Sequence, residues 1–457
     1  MTQSCDVIIV GMGPAGERVA GELAAAGMDV VGVEARLLGG ECPYWACVPT
    51  KMMVRAAGLL AEGRRIPAMA GSAEVRADFA PVAARIRKEA THDWDDTAAV
   101  ERFTAAGGRF VRSHGRLDGP GRVLATDETG GKQEFGARLG VVLATGSAPR
   151  VPPVPGLAGT PFWTNREAVE AQEAPASMIV MGGGPVGVEF AQAFARFGTD
   201  VTVVEGRDRL LPGEEPESSR LVEEALRAEG VALHTGSRAG GVAHDDGVFT
   251  VTLDNGTELT AGCLLVATGR AVDLAALGVE SVGLDPEATT LAVDERMLAA
   301  PALWGVGDIT GKGPFTHVAM YQADIAVRGI LGGDGPVADY RALPHVTFTD
   351  PEVGSVGLTE QAARDRGLTV RTGTADVSAA ARGWIHQEGN RGLIKVVEDA
   401  DRGVLVGATS VGPAGGEVLY GLAVAVQGEV PVDTLRSMIY AYPTFHRAVE
   451  TALADLS

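Results

Sequence analysis

The sequence has few of the features that mark secreted, membrane-spanning or nucleic-acid-binding proteins. Only four of its 457 residues are cysteines, too few for a secreted disulfide scaffold. No uninterrupted apolar run approaches the roughly 20 residues of a membrane span, and no signal-peptide pattern opens the chain. The 39 basic residues face 59 acidic ones, and the net charge of -20 argues against nucleic acid or an anionic membrane as a partner. We therefore expect a cytoplasmic protein.

Two segments repeat one pattern of strand, glycine loop, helix, strand and acidic residue. The first runs from residues 7–10 through the loop 11–16 to Glu34, and the second from residues 178–181 through the loop 182–187 to Glu205. In such loops glycine lets the backbone approach a pyrophosphate, the helix N-terminus supplies a positive dipole, and the acid accepts hydrogen bonds from ribose hydroxyls. The duplication predicts two dinucleotide sites in an α/β fold, and tight turns without a ligand are the alternative.

The two copies differ in length. Each ends in a buried strand followed by Ala-Thr-Gly, at Thr145 in the first copy and Thr268 in the second. From first glycine to that threonine the first copy spans 134 residues and the second 86, so the first contains an insertion of 48. The segment from Cys42 to Lys51 and predicted helices around residues 50–106 fill this insertion.

Cys42 and Cys47 lie in this insertion with four residues between them. A regular helix holds such a pair too far apart for a disulfide, so a redox-active pair requires a distorted segment, and a strained ring is easier to reduce. Two buried thiols that never meet are the alternative. Cys5 and Cys263 lie in predicted buried strands, where we expect them to pack in the core.

Composition also predicts the domain boundaries. At roughly 100–200 residues per domain the chain is long enough for three or four. A proline-rich connection over residues 148–156 and a second break near residues 270–271 enclose the second nucleotide fold. From residue 343 strand-like runs precede a helical tail over residues 416–456. We expect a nucleotide-binding domain over 1–150 and 272–335, a second over 151–271, and an α+β domain over 336–457.

These motifs, in this order, resemble those of the pyridine nucleotide-disulfide oxidoreductases, the flavoprotein disulfide reductases that include lipoamide dehydrogenase, glutathione reductase and mercuric reductase. The resemblance spans nearly the whole chain. It rests on the two glycine loops with their acids, the cysteine segment, both Ala-Thr-Gly turns, and residues 305–308 and 348–357. It implies two Rossmann-like domains, the first binding FAD and the second NAD(P), and a dimerisation domain over 336–457 that makes a homodimer.

The resemblance also implies which residues contact the cofactors. For FAD these are Gly11, Gly13, Pro14, Ala15, Gly16, Glu34, Ala35, Gly40, Glu41, Cys42, Lys51, Gly115, Ala144, Thr145, Gly146, Gly307 and Asp308. For the nicotinamide dinucleotide they are Gly182, Gly184, Pro185, Val186, Gly187, Glu205 and Gly269. An acid at Glu205 favours NADH because it repels a 2′-phosphate, although Arg207 and Arg209 nearby weaken that preference unless they are merely solvated. No metal site is predicted.

By the same resemblance, Cys47 lies nearer the flavin and Cys42 is the exposed thiol that attacks a substrate disulfide. Attack requires a thiolate, so a nearby base or positive charge must lower the cysteine pKa. Lys51 is expected near the flavin, with Glu189 as its ion-pair partner.

The chain departs from the family near its C-terminus and between the cysteines. Thiol-using members have a His-Pro with Glu five residues after the His, whereas Tyr442 and Arg447 occupy these positions here. If Pro443 opens a helix, Tyr442, His446 and Glu450 share one face. His446 and Glu450 then form a displaced acid/base dyad, or Tyr442 acts as the proton donor instead, and a structural histidine on the helix surface is the alternative for His446. Tyr44 and Trp45 either pack in the core or form a wall against the substrate. A C-terminal cysteine pair is absent, which argues against mercuric reductase.

Three functions are compatible with these residues. The first is an FAD-dependent NAD(P)H:disulfide oxidoreductase that passes electrons from NADH through Cys42 and Cys47 to a small disulfide or related acceptor. The second is a flavin-only diaphorase, quinone reductase or transhydrogenase in which the cysteines are not essential. The third is a flavin-loaded redox sensor, which the complete nucleotide motifs disfavour.

Overall fold

A computed structural model describes residues 2–457 of the chain. The residues form two compact units, each assembled from three segments. The first unit contains the residues up to 49 together with 85–150 and 270–339, and the second contains 50–84, 151–269 and 340–457.

The strands are, in chain order, β1 (Gln3–Val10), β2 (Val30–Glu34), β3 (Arg109–Arg112), β4 (His114–Leu117), β5 (Arg122–Thr126), β6 (Lys132–Leu143), β7 (Ala148–Pro149), β8 (Ser177–Met181), β9 (Asp200–Glu205), β10 (Ala232–Thr235), β11 (Ala239–Asp245), β12 (Val248–Leu253), β13 (Glu258–Ala261), β14 (Cys263–Val266), β15 (Arg270–Ala271), β16 (Leu298–Ala300), β17 (Leu303–Gly305), β18 (Pro344–Thr347), β19 (Glu352–Gly357), β20 (Val370–Asp376), β21 (Leu393–Asp399) and β22 (Val404–Gly412).

The α-helices are α1 (Pro14–Ala25), α2 (Glu41–Tyr44), α3 (Cys47–Met69), α4 (Ala80–Arg85), α5 (Thr97–Ala105), α6 (Asn165–Glu170), α7 (Pro185–Arg196), α8 (Pro216–Ala228), α9 (Thr316–Ile330), α10 (Glu360–Asp365), α11 (Ala381–His386), α12 (Gly415–Gln427), α13 (Val432–Ser437) and α14 (Arg447–Ala454). A π-helical turn covers Ile86–Ala90, and 3-10 turns cover Val279–Val282 and Asp308–Thr310.

The first unit is built on a sheet in the order β16-β17-β6-β1-β2-β3, to which β5 and β4 add at β6. Strands β17, β6, β1, β2 and β3 run parallel. Parallel strands are covered on both faces, which explains why β1 and β2 read as near-continuous apolar runs. One core lies between the sheet and helices α1, α5 and α9, and the other on the opposite face of the sheet. This confirms the first predicted nucleotide fold.

The second unit contains three sheets. Strands β10, β9, β8 and β14 form a parallel sheet, β11–β13 form an antiparallel one, and β18-β19-β22-β21-β20 form a five-stranded antiparallel sheet. Helices α12 and α14 pack against the five-stranded sheet. The second nucleotide fold and the C-terminal α+β region are therefore confirmed as well.

The insertion and the tail are helical as predicted, with one difference. Helices α3, α4 and α5 lie within residues 47–106, but the tail is divided into α12, α13 and α14, and residues 438–446 are not helical. Cys5 and Cys263 are buried in β1 and β14, and burial raises the pKa of the Cys5 thiol to about 11 and that of Cys263 to about 12. No helix among residues 2–457 is long and apolar enough to cross a membrane.

Candidate active site

The first glycine loop connects β1 to α1, and its glycines have different surroundings. Gly11 has a φ of +89°, and a Cβ there would lie 2.6 Å from the Ala144 carbonyl oxygen. A Cβ on Gly16 would lie 1.9 Å from the Gly11 oxygen. Gly13, by contrast, has only the Gly40 Cα nearby, at 3.9 Å. It is also the N-cap of α1 and provides no side-chain cap, so the loop combines two packing glycines with an open one at a helix N-terminus.

The second loop, between β8 and α7, repeats this arrangement. A Cβ on Gly182 would lie 2.3 Å from the Ala267 oxygen, and one on Gly187 would lie 1.9 Å from the Gly182 oxygen. Gly184 has no atom within 4 Å of its Cβ position and caps α7 without a side chain. A backbone that approaches a pyrophosphate needs this openness at the middle glycine, so both loops fit a dinucleotide.

Each loop is tied to the acid that ends the following strand. The Glu34 carboxylate accepts hydrogen bonds from the backbone amides of Met12 and Arg36, both at 2.8 Å. The Glu205 carboxylate accepts the two corresponding hydrogen bonds, from the backbone amides of Gly183 and Arg207, at 2.6 and 2.7 Å. Each predicted ribose-binding acid is thus held beside its glycine loop.

The other predicted cofactor residues lie near these loops or in their own turns. In the first unit Pro14 and Ala15 open α1, Ala35 follows β2, Gly40 and Glu41 lie at the start of α2, Gly115 is in β4, Ala144, Thr145 and Gly146 follow β6, and Gly307 precedes a 3-10 turn. In the second unit Pro185 and Val186 open α7, and Gly269 has a φ of +107°. Gly115 has a packing role, because a Cβ there would lie 2.8 Å from Val10 Cγ1.

The arginines near Glu205 differ from each other. Arg207 is exposed, as expected. Arg209 donates to the Ser219 hydroxyl at 2.5 Å and to the carbonyls of Leu211 and Pro212 at 3.3 and 2.9 Å. Solvation, the alternative for both arginines, therefore does not describe Arg209, because its guanidinium holds the chain between β9 and α8.

The cysteine segment is distorted between its two cysteines, as a redox pair requires. Helix α2 ends at Tyr44, and α3 begins at Cys47, so the helix is interrupted between Cys42 and Cys47. Both are thiols, and Cys42 is hydrogen-bonded to Cys47. This hydrogen bond, and then burial, raise the pKa of Cys42 above its ordinary value. Within this chain Cys47 is exposed and Cys42 is half-buried.

The aromatic residues between the cysteines belong to the core. Tyr44 and Trp45 are 7% and 9% exposed, and their ring centroids lie 5.8 Å apart. The Trp94 indole donates a hydrogen bond to the Tyr44 carbonyl at 3.3 Å. The alternative that Tyr44 and Trp45 pack in the core is therefore correct, and this packing stabilises the interrupted segment.

Thr316 contacts the cysteine pair, and the sequence did not predict it. Its Oγ1 lies 3.4 Å from Cys47 Sγ, and it is the first residue of α9. The two residues are 269 positions apart, and no motif connects them.

Asp308 is held by a second set of unpredicted residues. The Ser147 hydroxyl donates to Asp308 Oδ2 at 2.5 Å, and Arg270 donates to the Ser147 hydroxyl and carbonyl at 2.7 and 2.6 Å. The Arg270 guanidinium also lies 3.8 Å from Asp308 and 3.9 Å from Glu41. The repeated motif could have identified these residues, because Ser147 and Arg270 each directly follow an Ala-Thr-Gly turn.

The predicted ion pair between Lys51 and Glu189 is present in the second unit. Lys51 Nζ lies 2.5 Å from Glu189 Oε2 and 4.8 Å from the Phe348 ring centroid. The other carboxylate oxygen of Glu189 accepts the Phe348 amide at 2.8 Å. Because the Glu189 side chain is 8% exposed and that of Lys51 is 36% exposed, a buried carboxylate fixes a more accessible ammonium.

The C-terminal segment differs from the expected helix. Helix α14 begins at Arg447, so Pro443 does not open it, and Tyr442 and His446 precede the helix. The Thr444 hydroxyl donates to the Ala441 carbonyl at 2.7 Å, a local turn that competes with helical hydrogen bonding. The expectation that Tyr442, His446 and Glu450 share one helical face is therefore wrong.

The charged residues of this segment pair with each other. Glu450 pairs with Arg447 at 3.1 Å, and the Arg447 guanidinium lies 5.9 Å from the Tyr442 ring centroid. Tyr442 is 73% exposed, and His446 is exposed as well.

Comparison with known proteins identifies the family of this chain. Residues 5–323 match the model of the pyridine nucleotide-disulphide oxidoreductases, and residues 343–453 match the dimerisation domain of the same proteins. The chain belongs to this family. It is 32% identical to a dihydrolipoyl dehydrogenase of Chlorobaculum tepidum, over 98% of this chain and 96% of the relative. It is 31% identical to a mercuric reductase of Acidithiobacillus ferrooxidans, over 98% of this chain and 82% of the relative.

Solved structures agree over nearly the full length. The structure of LpdA from Mycobacterium tuberculosis superimposes with a TM-score of 0.86 at 27% identity, covering 99% of both chains. The Cu(II) complex of RclA, an HOCl-induced flavoprotein disulfide reductase from Escherichia coli, gives 0.86 at 26% identity and the same coverage.

Family membership establishes an oxidoreductase that acts on sulfur groups, with FAD and a pyridine nucleotide as cofactors and a dimerisation domain. The two open glycines at uncapped helix N-termini, Gly13 and Gly184, fit the two dinucleotides.

Proposed function

We propose that this protein is an NADH-dependent FAD disulfide oxidoreductase that passes electrons through Cys42 and Cys47 to a small disulfide or a related acceptor. The observation that carries the proposal is the interrupted helix between the two cysteines, which brings their thiols into hydrogen-bond contact. Core thiols would not need such an interruption. Both cysteines belong to the same unit as the first glycine loop, which supports FAD at that loop.

Each cysteine has a distinct role in this proposal. When bound, FAD accepts a hydride from the reduced nicotinamide and supplies two electrons to the disulfide. Cys47 begins α3, where the helix dipole favours a thiolate, and its exposed surface is where we place the cofactor. Cys42 retains its proton through its bond to Cys47 and, once deprotonated, attacks the acceptor.

In this proposal Lys51 supplies a positive charge whose position Glu189 fixes. Lys51 lies one helical turn beyond Cys47 in α3, and Glu189 fixes its ammonium. A positioned positive charge stabilises negative charge that develops during reduction, and it needs no rearrangement at that moment.

We propose NADH as the preferred donor and the second loop as its site. The Glu205 carboxylate is held at the loop by two amides, so it repels a 2′-phosphate and accepts ribose hydroxyls. The three structural hydrogen bonds of Arg209 occupy the guanidinium that otherwise favours NADPH.

A flavin-only reaction with quinones, oxygen or a second nucleotide is the alternative, and one observation favours it. Tyr442 stands where thiol-using relatives have histidine, and Glu450 is paired with Arg447. A phenol is a weaker base than an imidazole, so proton transfer with a disulfide substrate is harder to manage here than electron transfer from the flavin to another acceptor.

An acceptor screen with cysteine variants separates these functions. The FAD-loaded protein is mixed with NADH and, in turn, lipoamide, glutathione disulfide, Hg(II), Cu(II), a quinone or oxygen. We expect one thiol-reactive acceptor to support turnover that falls at least a hundredfold in both Cys42→Ser and Cys47→Ser. Full turnover of both variants with the best acceptor would reject the cysteine relay and favour the flavin-only reaction.

The matched control is Cys263→Ser, which alters a buried thiol of β14 in the second unit. Its turnover with the best acceptor should match that of the native protein. Negligible NADH oxidation with every acceptor would instead favour the sensor.

A further inference from the structure

Thr316 reaches both sulfur atoms of the redox pair with one hydroxyl group. Its Oγ1 lies 3.4 Å from Cys47 Sγ, and it also hydrogen-bonds to Cys42. The bond from Thr316 lowers the pKa of Cys42, but the bond to Cys47 raises it by more. Thr316 itself is half-buried, so its side chain is held by the surrounding structure.

The contacts define where charge resides once the pair is reduced. We place the negative charge on Cys47, the exposed thiol that begins α3, because the hydrogen bond to Cys47 and burial raise the pKa of Cys42. Cys47 is the first residue of the 23-residue helix α3, and Thr316 is the first residue of the 15-residue helix α9. The sulfur therefore belongs to the first residue of one helix and contacts the first residue of another, where the helix dipoles favour negative charge, and a hydroxyl beside a thiolate acts as a donor.

We propose that Thr316 stabilises the Cys47 thiolate and thereby sets the redox equilibrium of the cysteine pair. This inference rests on the proposed role of Cys42 and Cys47. When two glutathione molecules reduce the pair, the sulfur–sulfur bond breaks and one glutathione disulfide forms. One proton remains on Cys42, one is released to solvent, and Thr316 donates to the charged sulfur of Cys47.

A purely structural role for Thr316 makes a different prediction. If Thr316 only fills space at the start of α9, valine, which has the same shape, replaces it without effect on the redox equilibrium. If the hydroxyl is the active part, serine replaces threonine and valine does not. Hydrogen bonds to charged groups are stronger than those between neutral groups, so the difference is large enough to measure.

The test is a redox titration of the FAD-loaded protein at pH 7. Native protein, Thr316→Val and Thr316→Ser are equilibrated with graded ratios of reduced to oxidised glutathione and quenched with acid. Thiols are then alkylated in denaturant, and the Cys42–Cys47 disulfide fraction is measured by mass spectrometry. Thr104→Val is the control, because this exposed threonine donates only to the Val100 carbonyl of its own helix.

We expect Thr316→Val to shift the equilibrium about tenfold toward the disulfide, a potential about 30 mV more negative, with Thr316→Ser and Thr104→Val within about twofold of native. A native-like Thr316→Val, or a Thr316→Ser shifted as far as Thr316→Val, overturns the inference. If Thr316→Val does not fold, Thr316→Ala takes its place under the same criteria. A native protein that forms no Cys42–Cys47 disulfide at any ratio rejects the proposed function itself, which is a distinguishable result.

Discussion

Glu189 connects Lys51 to the backbone of Phe348. One carboxylate oxygen lies 2.5 Å from Lys51 Nζ, and the other accepts the Phe348 amide at 2.8 Å. A side chain of α7 thereby fixes both a lysine from α3 and the segment that follows β18. The position of the ammonium therefore depends on a buried carboxylate.

The first prediction concerns this carboxylate. Glu189→Gln keeps an oxygen for the Phe348 amide but removes the charge that orients Lys51. We expect the rate at which anaerobic NADH bleaches the FAD absorbance to fall about tenfold, because small displacements of a positioned group reduce rates strongly. Stopped-flow absorbance measures this rate. Glu62→Gln, which removes an exposed partner of Arg65 in α3, should leave it unchanged, and an equal loss in both variants would contradict the prediction.

The second prediction separates the ligand-facing and packing glycines of the second loop. Gly184 has a φ of -77° and open space at its Cβ position, so Gly184→Ala should fold with native stability. If this loop binds the nucleotide as proposed, a methyl group there would meet the pyrophosphate, and we expect the KM for NADH to rise about tenfold. Gly187→Ala places a Cβ 1.9 Å from the Gly182 oxygen and should lower the free energy of unfolding by about 2 kcal/mol.

Steady-state kinetics and urea unfolding measure these two effects. The prediction is contradicted if Gly184→Ala binds NADH as the native protein does, or if Gly187→Ala is as stable as native.

The glycine loops were predictable from sequence because their constraints are local. A Cβ on Gly16 meets the Gly11 oxygen of the same loop, and the spacing to Glu34 follows from the lengths of one helix and two strands. The contact of Cys47 with Thr316 was not predictable in this way. It depends on how α9 packs against the sheet, which no local pattern of the sequence encodes.

The start of α14 was missed for a different reason. Proline is common in the first turn of a helix, so Pro443 predicted a helix that begins there. The hydroxyl of Thr444 instead closes a turn with the Ala441 carbonyl, so the chain delays helix formation until Arg447. Such side-chain competition involves about 1 kcal/mol, too little for a sequence pattern to resolve.

The third prediction concerns the choice of nucleotide. Glu205→Gln removes the negative charge but keeps one side-chain oxygen that can accept a hydrogen bond from a backbone amide of the second loop. We expect the ratio of kcat/KM for NADH to that for NADPH to fall about tenfold, because repulsion of the 2′-phosphate is lost. Asp208→Asn, an exposed acid three residues further on, serves as the control and should leave the ratio unchanged. An unchanged ratio in Glu205→Gln would mean that another residue selects the nucleotide.

The fourth prediction concerns stability in acid and rests on Asp350. Its carboxylate pairs with Arg65 at 2.6 Å and with the buried Arg196 at 2.8 Å. Burial opposes ionisation of Asp350, but the two guanidinium groups outweigh it and hold the pKa below its usual value of 3.8. Because the pKa is lower in the folded than in the unfolded chain, the stabilisation is complete above the unfolded value and disappears as pH falls through the folded one.

We therefore expect Asp350→Asn to lower the free energy of unfolding at pH 7 by about 3 kcal/mol, since it leaves two arginines without their shared carboxylate. The difference from native should begin to shrink as pH falls below about 4, where the unfolded carboxyl takes up a proton, and should shrink further as pH falls through the lower pKa of the folded chain. Urea unfolding at pH 7, 5 and 3 measures both effects. Asp433→Asn, whose side chain is 95% exposed, should change stability little at any pH. A difference between Asp350→Asn and native that stays constant from pH 7 to pH 3 would show that the charge of Asp350 is not its source.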